Sequence, residues 1–382
     1  MKIPLAWLQL SKEKIRLTIA LAGIGFADLL MFMQLGFKSS LFNSAVAIHK
    51  RFKGDLVLIS PRSEFLAQMT SFPRTRLYQA KGFPEVESIS HLYINPGTWK
   101  NPANPSANRS IFIFGFDPDK PVFNIPELDG QLNKIKMQDV FLFDEASRAE
   151  FGPVPQLFKE GKTVTTELND RKIRIDGLFK IGVSFAADGN LITSDLNLLR
   201  ATKRSADNID VGFINLKPDA DPKIVLAKIR QRLPNDVRVM TIEDFINFER
   251  KYWETSTAIG FIFGLGVTMG FIVGIVIVYQ ILYTDVADHL AEYATLKAMG
   301  YTDFYLLVLV FQEALILSIL GYTPGFAISF VLYNLAKNAT GLPMGMTFEL
   351  AATVMILTIV MCFISGAIAV RKLSGADPAD IF

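Results

Sequence analysis

Charged residues are scarce in this sequence of 382 residues. Only a fifth of the residues are charged, half are hydrophobic, and the mean hydropathy is +0.30. This balance is typical of a membrane protein with a sizeable aqueous part. The formal net charge is +2, and the sequence contains neither a Lys/Arg block nor interleaved basic and aromatic residues. We therefore exclude nucleic acid as a partner.

Cysteine and histidine are also rare. The single cysteine, Cys362, excludes an internal disulfide and a cysteine-based zinc cluster. His49 and His91 have no His, Cys or acid at metal-ligand spacing, and scattered Ser, His and Asp residues do not predict a catalytic triad. Gly161-Lys162-Thr163 resembles the end of a P-loop, but Gln156 stands where that motif requires glycine. The sequence therefore predicts a chain with no catalytic residues, no metal ligands and no cofactor of its own.

Long apolar runs are what the sequence does contain. A helix needs about 20 mostly apolar residues to cross the hydrocarbon core of a membrane. Four segments qualify, at residues 17–37, 255–284, 304–336 and 350–370. The third segment contains a Gly-Tyr-Thr-Pro-Gly sequence at 321–325, where Pro324 predicts a kink or an interruption. We predict four transmembrane helices.

Basic residues near the span ends predict the orientation. Lys and Arg are retained on the cytoplasmic side, and here they flank the start of the first span and the end of the fourth, at Lys2, Lys12, Lys14, Arg16, Arg371 and Lys372. Both termini are therefore predicted to be cytoplasmic. A cleaved signal peptide is the alternative for the first span, but Asp28 lies within the apolar run and a signal anchor fits better.

This orientation divides the chain into three parts. Residues 1–37 form the cytoplasmic N-terminus and first span, 38–254 an external domain, and 255–382 a membrane domain with three spans. The short loop at 337–349 is predicted to lie outside, and the segment between the second and third spans inside.

The external domain is predicted to be α+β and two-lobed. Its beginning and end each read as a β-α-β unit, and these should join into one α/β subdomain. The predicted elements are strands at 55–60, 86–94, 111–116, 211–216 and 237–241 and helices near 75–81 and at 222–233. Residues of about 118–205 are predicted to form an inserted, mostly β lobe. The Pro, Asn and Ser content of residues 95–110 predicts an exposed loop.

Two acids and a glycine row lie inside the spans. Asp28 and Glu313 are costly in hydrocarbon, but the sequence shows no third group for a proton or ion relay, so their roles stay open. Gly266, Gly270 and Gly274 fall on one helix face, where small residues let helices approach closely. This row predicts either packing between two copies in a homodimer or a contact within one chain.

Residues 285–300, between the second and third spans, read as an amphipathic helix. At 100° per residue, Ala287, Ala291, Ala294 and Ala298 form one row and Val286, Leu290, Tyr293 and Lys297 the adjacent row, while Asp285, Asp288 and Glu292 lie on the other side. The acids disfavour binding to an anionic inner leaflet. A protein partner in the cytoplasm is therefore the better interpretation.

The end of this segment and the C-terminal tail resemble a known family. The stretch 292–301, EYATLKAMGY, and the basic, proline-containing tail 371–380, RKLSGADPAD, resemble the FtsX/MacB (type VII) class of ABC-transporter permeases, and within it the DevC permeases. The class has a basic residue where this chain has Ala291. The resemblance implies that the ATPase-coupling residues are Val286, Ala287, Leu290, Ala291, Glu292, Tyr293, Ala294, Lys297, Ala298 and Gly300.

The resemblance also implies a function and partners. It implies a homodimeric, non-catalytic permease in the inner (plasma) membrane, with residues 38–254 in the periplasm. The separate ABC ATPase of this permease binds ATP and Mg. The resemblance further implies a periplasmic adaptor (membrane-fusion) protein and a TolC-like outer-membrane channel, through which glycolipid or another envelope substrate is exported. A mechanical transducer that activates an extracytoplasmic enzyme, as in FtsX, is the alternative. A membrane-bound enzyme would need converging catalytic groups, and the sequence shows none.

Overall fold

The computed structural model describes residues 12–184, 186–290, 295, 299–300 and 302–373. The chain divides into two compact units. The membrane unit comprises the segments up to Ser40 and from Ala258 onward, and the sheet unit comprises Leu41–Thr257.

Among its described residues, the membrane unit contains four long helices. They are α1 (Lys14–Ala45), whose last residues enter the sheet unit, α7 (Ala258–Asp288), α8 (Asp303–Thr340) and α9 (Phe348–Leu373). Each contains a segment long and apolar enough to cross a membrane. The predicted architecture of four transmembrane helices and a large α+β domain is confirmed.

Helix α8 continues through Pro324, so the predicted interruption at 321–325 does not occur. The neighbouring glycines let α8 pack closely on α1: a Cβ added to Gly25 would lie 3.4 Å from both Gly321 O and Gly325 N. Proline is tolerated inside spanning helices when neighbouring helices support the freed backbone. Close packing with α1 therefore accounts for the unbroken helix.

The sheet unit is built on one nine-stranded sheet, in the order β11-β1-β10-β3-β4-β8-β5-β7-β6, with a separate β2-β9 pair. The strands are β1 (Leu56–Ile59), β2 (Phe72–Pro73), β3 (Val86–Asn101), β4 (Asn104–Phe116), β5 (Val140–Asp144), β6 (Val164–Leu168), β7 (Arg171–Phe179), β8 (Asn190–Ser194), β9 (Asn208–Ile209), β10 (Val211–Leu216) and β11 (Arg238–Thr241). The helices are α2 (Thr75–Lys81), α3 (Val154–Lys159), α4 (Asp195–Thr202), α5 (Pro222–Arg232) and α6 (Ile242–Lys251), followed by a π-helical turn at Tyr252–Ser256.

The early and late parts of this unit share one sheet, as predicted. Strand β1 pairs antiparallel with both β10 and β11, and β10 pairs antiparallel with β3. The inserted strands β5 to β8 extend this sheet instead of forming a second one, because β8 pairs in parallel with β4. Strand β1 is buried on both faces: Leu56 and Leu58 belong to one apolar cluster, Val57 and Ile59 to another. Apolar layers therefore cover both sides of the sheet.

The prediction of an exposed loop at 95–110 was wrong, because β3 and β4 extend through it as a long hairpin. Trp99 of β3 is completely buried, faces Leu168 of β6, and donates from Nε1 to the Phe151 carbonyl at 3.0 Å. Pro96 is tolerated because this part of β3 lies beyond its pairing with β10. Trp99 is therefore buried against the inserted segment, and this contact stabilises a hairpin whose composition is typical of a loop.

Candidate functional site

The predicted coupling segment begins inside a spanning helix, since α7 continues to Asp288. Val286 is buried against Leu309 and Val310 of α8, while Ala287 and Leu290 are partly exposed. Gly300 has φ +95°, a left-handed conformation that favours glycine. The other predicted coupling residues lie outside the described residues: Ala291, Glu292, Tyr293, Ala294, Lys297 and Ala298.

The predicted acidic face of this segment divides between the interior and the surface. The Asp288 side chain is 51% exposed, whereas the Asp285 side chain is 4% exposed. Arg16 of α1 contacts both acids: its Nη2 donates to Asp288 Oδ2 at 2.5 Å, and its Nη1 lies 3.7 Å from Asp285 Oδ1. On the predicted acidic face, Asp285 therefore points into the helix bundle and Asp288 lies at its surface.

Glu313 of α8 joins the same group of charges. It is completely buried, and its carboxyl group faces that of Asp285. Glu13 Oε2 also lies 2.7 Å from Arg16 Nη1. We call Glu13, Arg16, Asp285, Asp288 and Glu313 the charge cluster. It joins α1, α7 and α8 at the predicted cytoplasmic end of the bundle, and Arg16 is the cation that sequence reasoning had assigned to orientation alone.

Asp28 belongs to a different contact. It is completely buried and accepts a hydrogen bond from Thr358 Oγ1 of α9 at 2.6 Å. On another side it packs against α8, since a Cβ added to Gly325 would lie 2.8 Å from Asp28 Cβ. The two intramembrane acids thus have different partners, and Asp28 serves to join α1, α8 and α9.

The glycine row of α7 packs within the chain. A Cβ added to Gly270 would lie 3.2 Å from Met31 Cγ of α1, and one added to Gly274 would lie 3.0 Å from Ala27 Cβ and in closer contact with Met361 of α9. A Cβ on Gly266 would meet Gln34. The row therefore packs against helices of the same chain, and the homodimer stays a prediction.

A buried His-Glu pair lies in the sheet unit, where α6 approaches the segment that follows α1. Glu249 accepts hydrogen bonds from Leu66 N at 2.8 Å and Trp253 Nε1 at 2.9 Å, and its Oε2 lies 3.5 Å from His49 Nε2. Burial raises the pKa of Glu249 to about 7 and lowers the pKa of His49 to about 3. His91 is also buried, and its Nε2 lies 3.1 Å from Asp195 Oδ2.

Metal coordination has no candidate in the described part of the chain, where no group of three or more His, Cys, Asp or Glu residues could hold an ion. The His-Glu pair and the charge cluster were not predicted as units. Sequence periodicity carries no signal for either, because their members come from elements far apart in the chain.

Comparison with known proteins identifies the class of the membrane unit. Residues 264–378 match the family described as FtsX-like permease C-terminal. No protein with a curated description matches the sequence.

Solved structures similar to this chain include the periplasmic region of MacB from Actinobacillus actinomycetemcomitans, with 11% identity and a TM-score of 0.36, covering 55% of this chain and 97% of that one. The extracellular domain of the ABC-type transporter YknZ from Gram-positive bacteria has 12% identity and a TM-score of 0.32, covering 49% and 100%. A permease domain from Porphyromonas gingivalis has 14% identity and a TM-score of 0.29, covering 50% and 90%.

The chain therefore carries an FtsX-like permease C-terminal domain, and the resemblance to the FtsX/MacB class is confirmed. Permeases of this class are membrane components of ABC transporters and work with an ATPase partner. The DevC subtype stays a prediction.

Proposed function

We propose that this chain is the permease subunit of a DevC-type ABC exporter in the inner membrane, with both termini in the cytoplasm. A separate ATPase binds ATP and Mg and docks on residues 285–300. The permease functions as a homodimer with a periplasmic adaptor and a TolC-like channel, and it drives export of glycolipid or another envelope substrate. The observation that carries the proposal is the charge cluster, which ties the first turn of the docking segment to two other spanning helices.

The contacts of this turn explain how force would leave the docking site. Asp285 and Asp288 interact with Arg16 of α1, and Val286 packs on Leu309 and Val310 of α8. If the ATPase displaces residues 285–290, α1 and α8 must therefore move together with α7. Otherwise the contact between Arg16 and the buried Asp285 would break. Such a unit transmits movement better than an exposed loop would.

Chain continuity supports transmission to the sheet unit. Helix α1 continues without a break to Ala45 within that unit, and α6 and the π-helical turn lead directly into α7. Inside the sheet unit, Glu249 of α6 meets His49, four residues after the end of α1. The two segments that connect with the membrane are thus held to each other at their entry into the sheet unit, which supports a coordinated response.

Ala294→Arg tests the docking assignment. Small and apolar anchors seat a helix in a groove, so a long charged side chain at this position should clash and lose its hydration. We expect co-purification of the ATPase with the permease to fall by tenfold or more, on the order of 1.4 kcal/mol or above. Ala339→Arg is the matched control, because Ala339 is an exposed residue near the opposite end of α8.

Mass spectrometry of the proteins captured by the wild-type chain tests the output. Recovery of an ATPase together with an adaptor and an outer-membrane channel would support export. Recovery of an ATPase with a cell-wall hydrolase would instead favour the mechanical transducer. Equal ATPase recovery by Ala294→Arg and Ala339→Arg would refute docking at residues 285–300.

A further inference from the structure

A basic cleft lies in the sheet unit immediately before the chain enters α7. Its volume is about 450 Å³, and its polar lining includes Arg238, Lys251, Thr255 and Ser256. Ser256 is two residues from Ala258, the first residue of α7. Since a residue spans at most about 3.6 Å of chain, this side of the cleft lies within about 7 Å of the start of that helix. The Ser256 side of the cleft therefore adjoins the start of a helix that is long and apolar enough to cross a membrane.

The two cations of the cleft are free to bind an anion. Within the described residues, neither Arg238 nor Lys251 has a carboxylate at ion-pair distance, whereas Arg76, Arg171 and Arg204 of the same unit each have one. Arg238 is nevertheless held in place, because its guanidinium lies 5.8 Å from the Phe248 ring centroid and Nη2 donates to the Pro61 carbonyl at 3.4 Å. A pre-positioned guanidinium without a carboxylate partner is suited to bind a phosphate.

The wall of the cleft has an unusual backbone and an aromatic side. Residues Tyr252–Ser256 form a π-helical turn, a rare conformation that occurs frequently at functional sites. The Tyr252 ring lines the cleft and stacks on Phe65, with centroids 4.3 Å apart, and Trp253 contacts the edge of Phe65 at 5.4 Å. Tyrosine and tryptophan are enriched at the membrane interface, where the ring is apolar and its polar group is hydrated. Tyr252, which is partly exposed, therefore suits the headgroup region of a bilayer, whereas Trp253 is buried and donates from Nε1 to Glu249.

We propose that this cleft binds the phosphate of an anionic lipid headgroup in the leaflet at the N-terminal end of α7. Arg238 and Lys251 contact the phosphate, and Thr255 and Ser256 offer hydroxyl groups to its oxygens or to the polar group beyond it. The volume suits a small headgroup such as phosphoglycerol and exceeds what a free phosphate ion would fill. The proposal does not depend on ATPase docking.

The charges of the cleft also set a limit on its affinity. Glu64 lines the same cleft and repels an anion, so two cations act against one carboxylate. The resulting net attraction suits an exchangeable lipid better than a permanently bound one. Removing this carboxylate should therefore strengthen binding, which a purely structural role of the cleft does not predict.

Native mass spectrometry of the purified full-length protein tests the proposal, with phosphatidylglycerol and phosphatidylcholine added in equal amounts. We expect phosphatidylglycerol to be retained selectively by the wild type. The double variant Arg238→Gln/Lys251→Gln should reduce its retention by roughly tenfold or more, since each basic residue near an anionic headgroup raises the binding affinity about fivefold. Glu64→Gln should increase retention.

Lys223→Gln/Arg232→Gln is the matched control for charge. Both residues lie in α5, outside the cleft, and Arg232 lies 6.0 Å from the ring centroid of Phe83, much as Arg238 lies over Phe248. This variant should retain phosphatidylglycerol as the wild type does. Equal losses in the two double variants, or no loss in the cleft variant, would overturn the proposal.

Inorganic phosphate at millimolar concentration separates the two sources of the ligand. If phosphate fails to displace phosphatidylglycerol, the result would support a site that recognises the lipid and not the phosphate group alone. Displacement of the lipid together with a cleft-dependent phosphate adduct would show that a free phosphate fills the site and would overturn the lipid assignment. The thermal unfolding midpoint of each variant verifies that the sheet unit remains folded.

Discussion

At the scale of single residues, burial gives two groups of the sheet unit opposite responses to pH. The folded chain keeps a proton on Glu249 up to a pKa of about 7, while the unfolded chain releases it near 4.5. The contribution of Glu249 to stability is therefore complete below about pH 4.5 and is lost as the pH rises through 7. His49, with its pKa lowered to about 3, opposes this: its contribution is complete above about pH 6.5 and is lost as the pH falls. Between pH 4.5 and 6.5 the contributions of Glu249 and His49 to stability change with pH in opposite directions and offset each other.

The Glu249→Gln variant should show the dependence of stability on pH that His49 alone causes. Relative to the wild type, the variant should gain stability as the pH rises from 4.5 to 7, by a total on the order of 3 kcal/mol at about 1.4 kcal/mol per pKa unit. The readout is the thermal unfolding midpoint by tryptophan fluorescence, since Trp253 Nε1 donates to Glu249. Glu254→Gln, at an exposed position of the adjacent turn, is the control and should run parallel to the wild type. Parallel curves for both variants would mean that Glu249 is already ionised in the folded chain.

At the scale of elements, the sequence predicts the bounds of those helices and strands that depend on local interactions alone. The strand predicted at 211–216 and the helix predicted at 75–81 have the bounds found in the structure, because their apolar patterns and flanking residues suffice. Residues 95–110 read as a loop, since the contact of Trp99 with Leu168 that makes them a hairpin spans 69 positions of sequence. The helical wheel places Asp285 on the face opposite the alanine row, but only its contacts with Arg16 of α1 and Glu313 of α8 show that it is buried in the bundle.

The glycine row of α7 is an element whose two interpretations differ in a measurable way. Gly274 contacts Ala27 and Met361 of the same chain, so Gly274→Leu should force α7 away from α1 and α9. We expect a loss of about 1–3 kcal/mol, as for other overpacked sites, and a lower thermal unfolding midpoint. Gly264→Leu is the control in the same helix, because a Cβ there meets nothing within 4 Å. The two variants should differ in stability whatever the oligomeric state.

A contrary pattern would restore the earlier alternative. If Gly274→Leu kept the stability of the monomer and abolished cross-linking between copies, the row would be a self-association face. The homodimer would then depend on these glycines, and their contacts with α1 and α9 would be secondary.

At the scale of the whole molecule, the number of spans and the joining of the early and late strands in one sheet could be predicted, but the contacts between the spans could not. Apolar runs reveal spans because every spanning helix must satisfy the same length and hydrophobicity. The charge cluster carries no such signal. Glu313 alone is conspicuous in the sequence, as an acid within a span, and nothing there connects it with Glu13, Arg16, Asp285 and Asp288 until three helices bring them together. Arg16 shows this clearly, because it serves the orientation rule and also neutralises a buried acid.

Arg16→Gln should therefore separate docking from transmission. The variant loses the cation that holds Asp285 and Asp288 to α1, while the predicted ATPase-binding residues remain unchanged. We expect the ATPase to co-purify as it does with the wild type, but its stimulation by the permease to fall several-fold. Lys14→Gln is the matched control, since it removes one positive charge from an exposed position on the same end of α1. If Arg16→Gln stimulates the ATPase as well as Lys14→Gln does, the charge cluster stabilises the bundle without transmitting movement. If Arg16→Gln also loses the ATPase, the docking surface extends beyond residues 285–300 to α1.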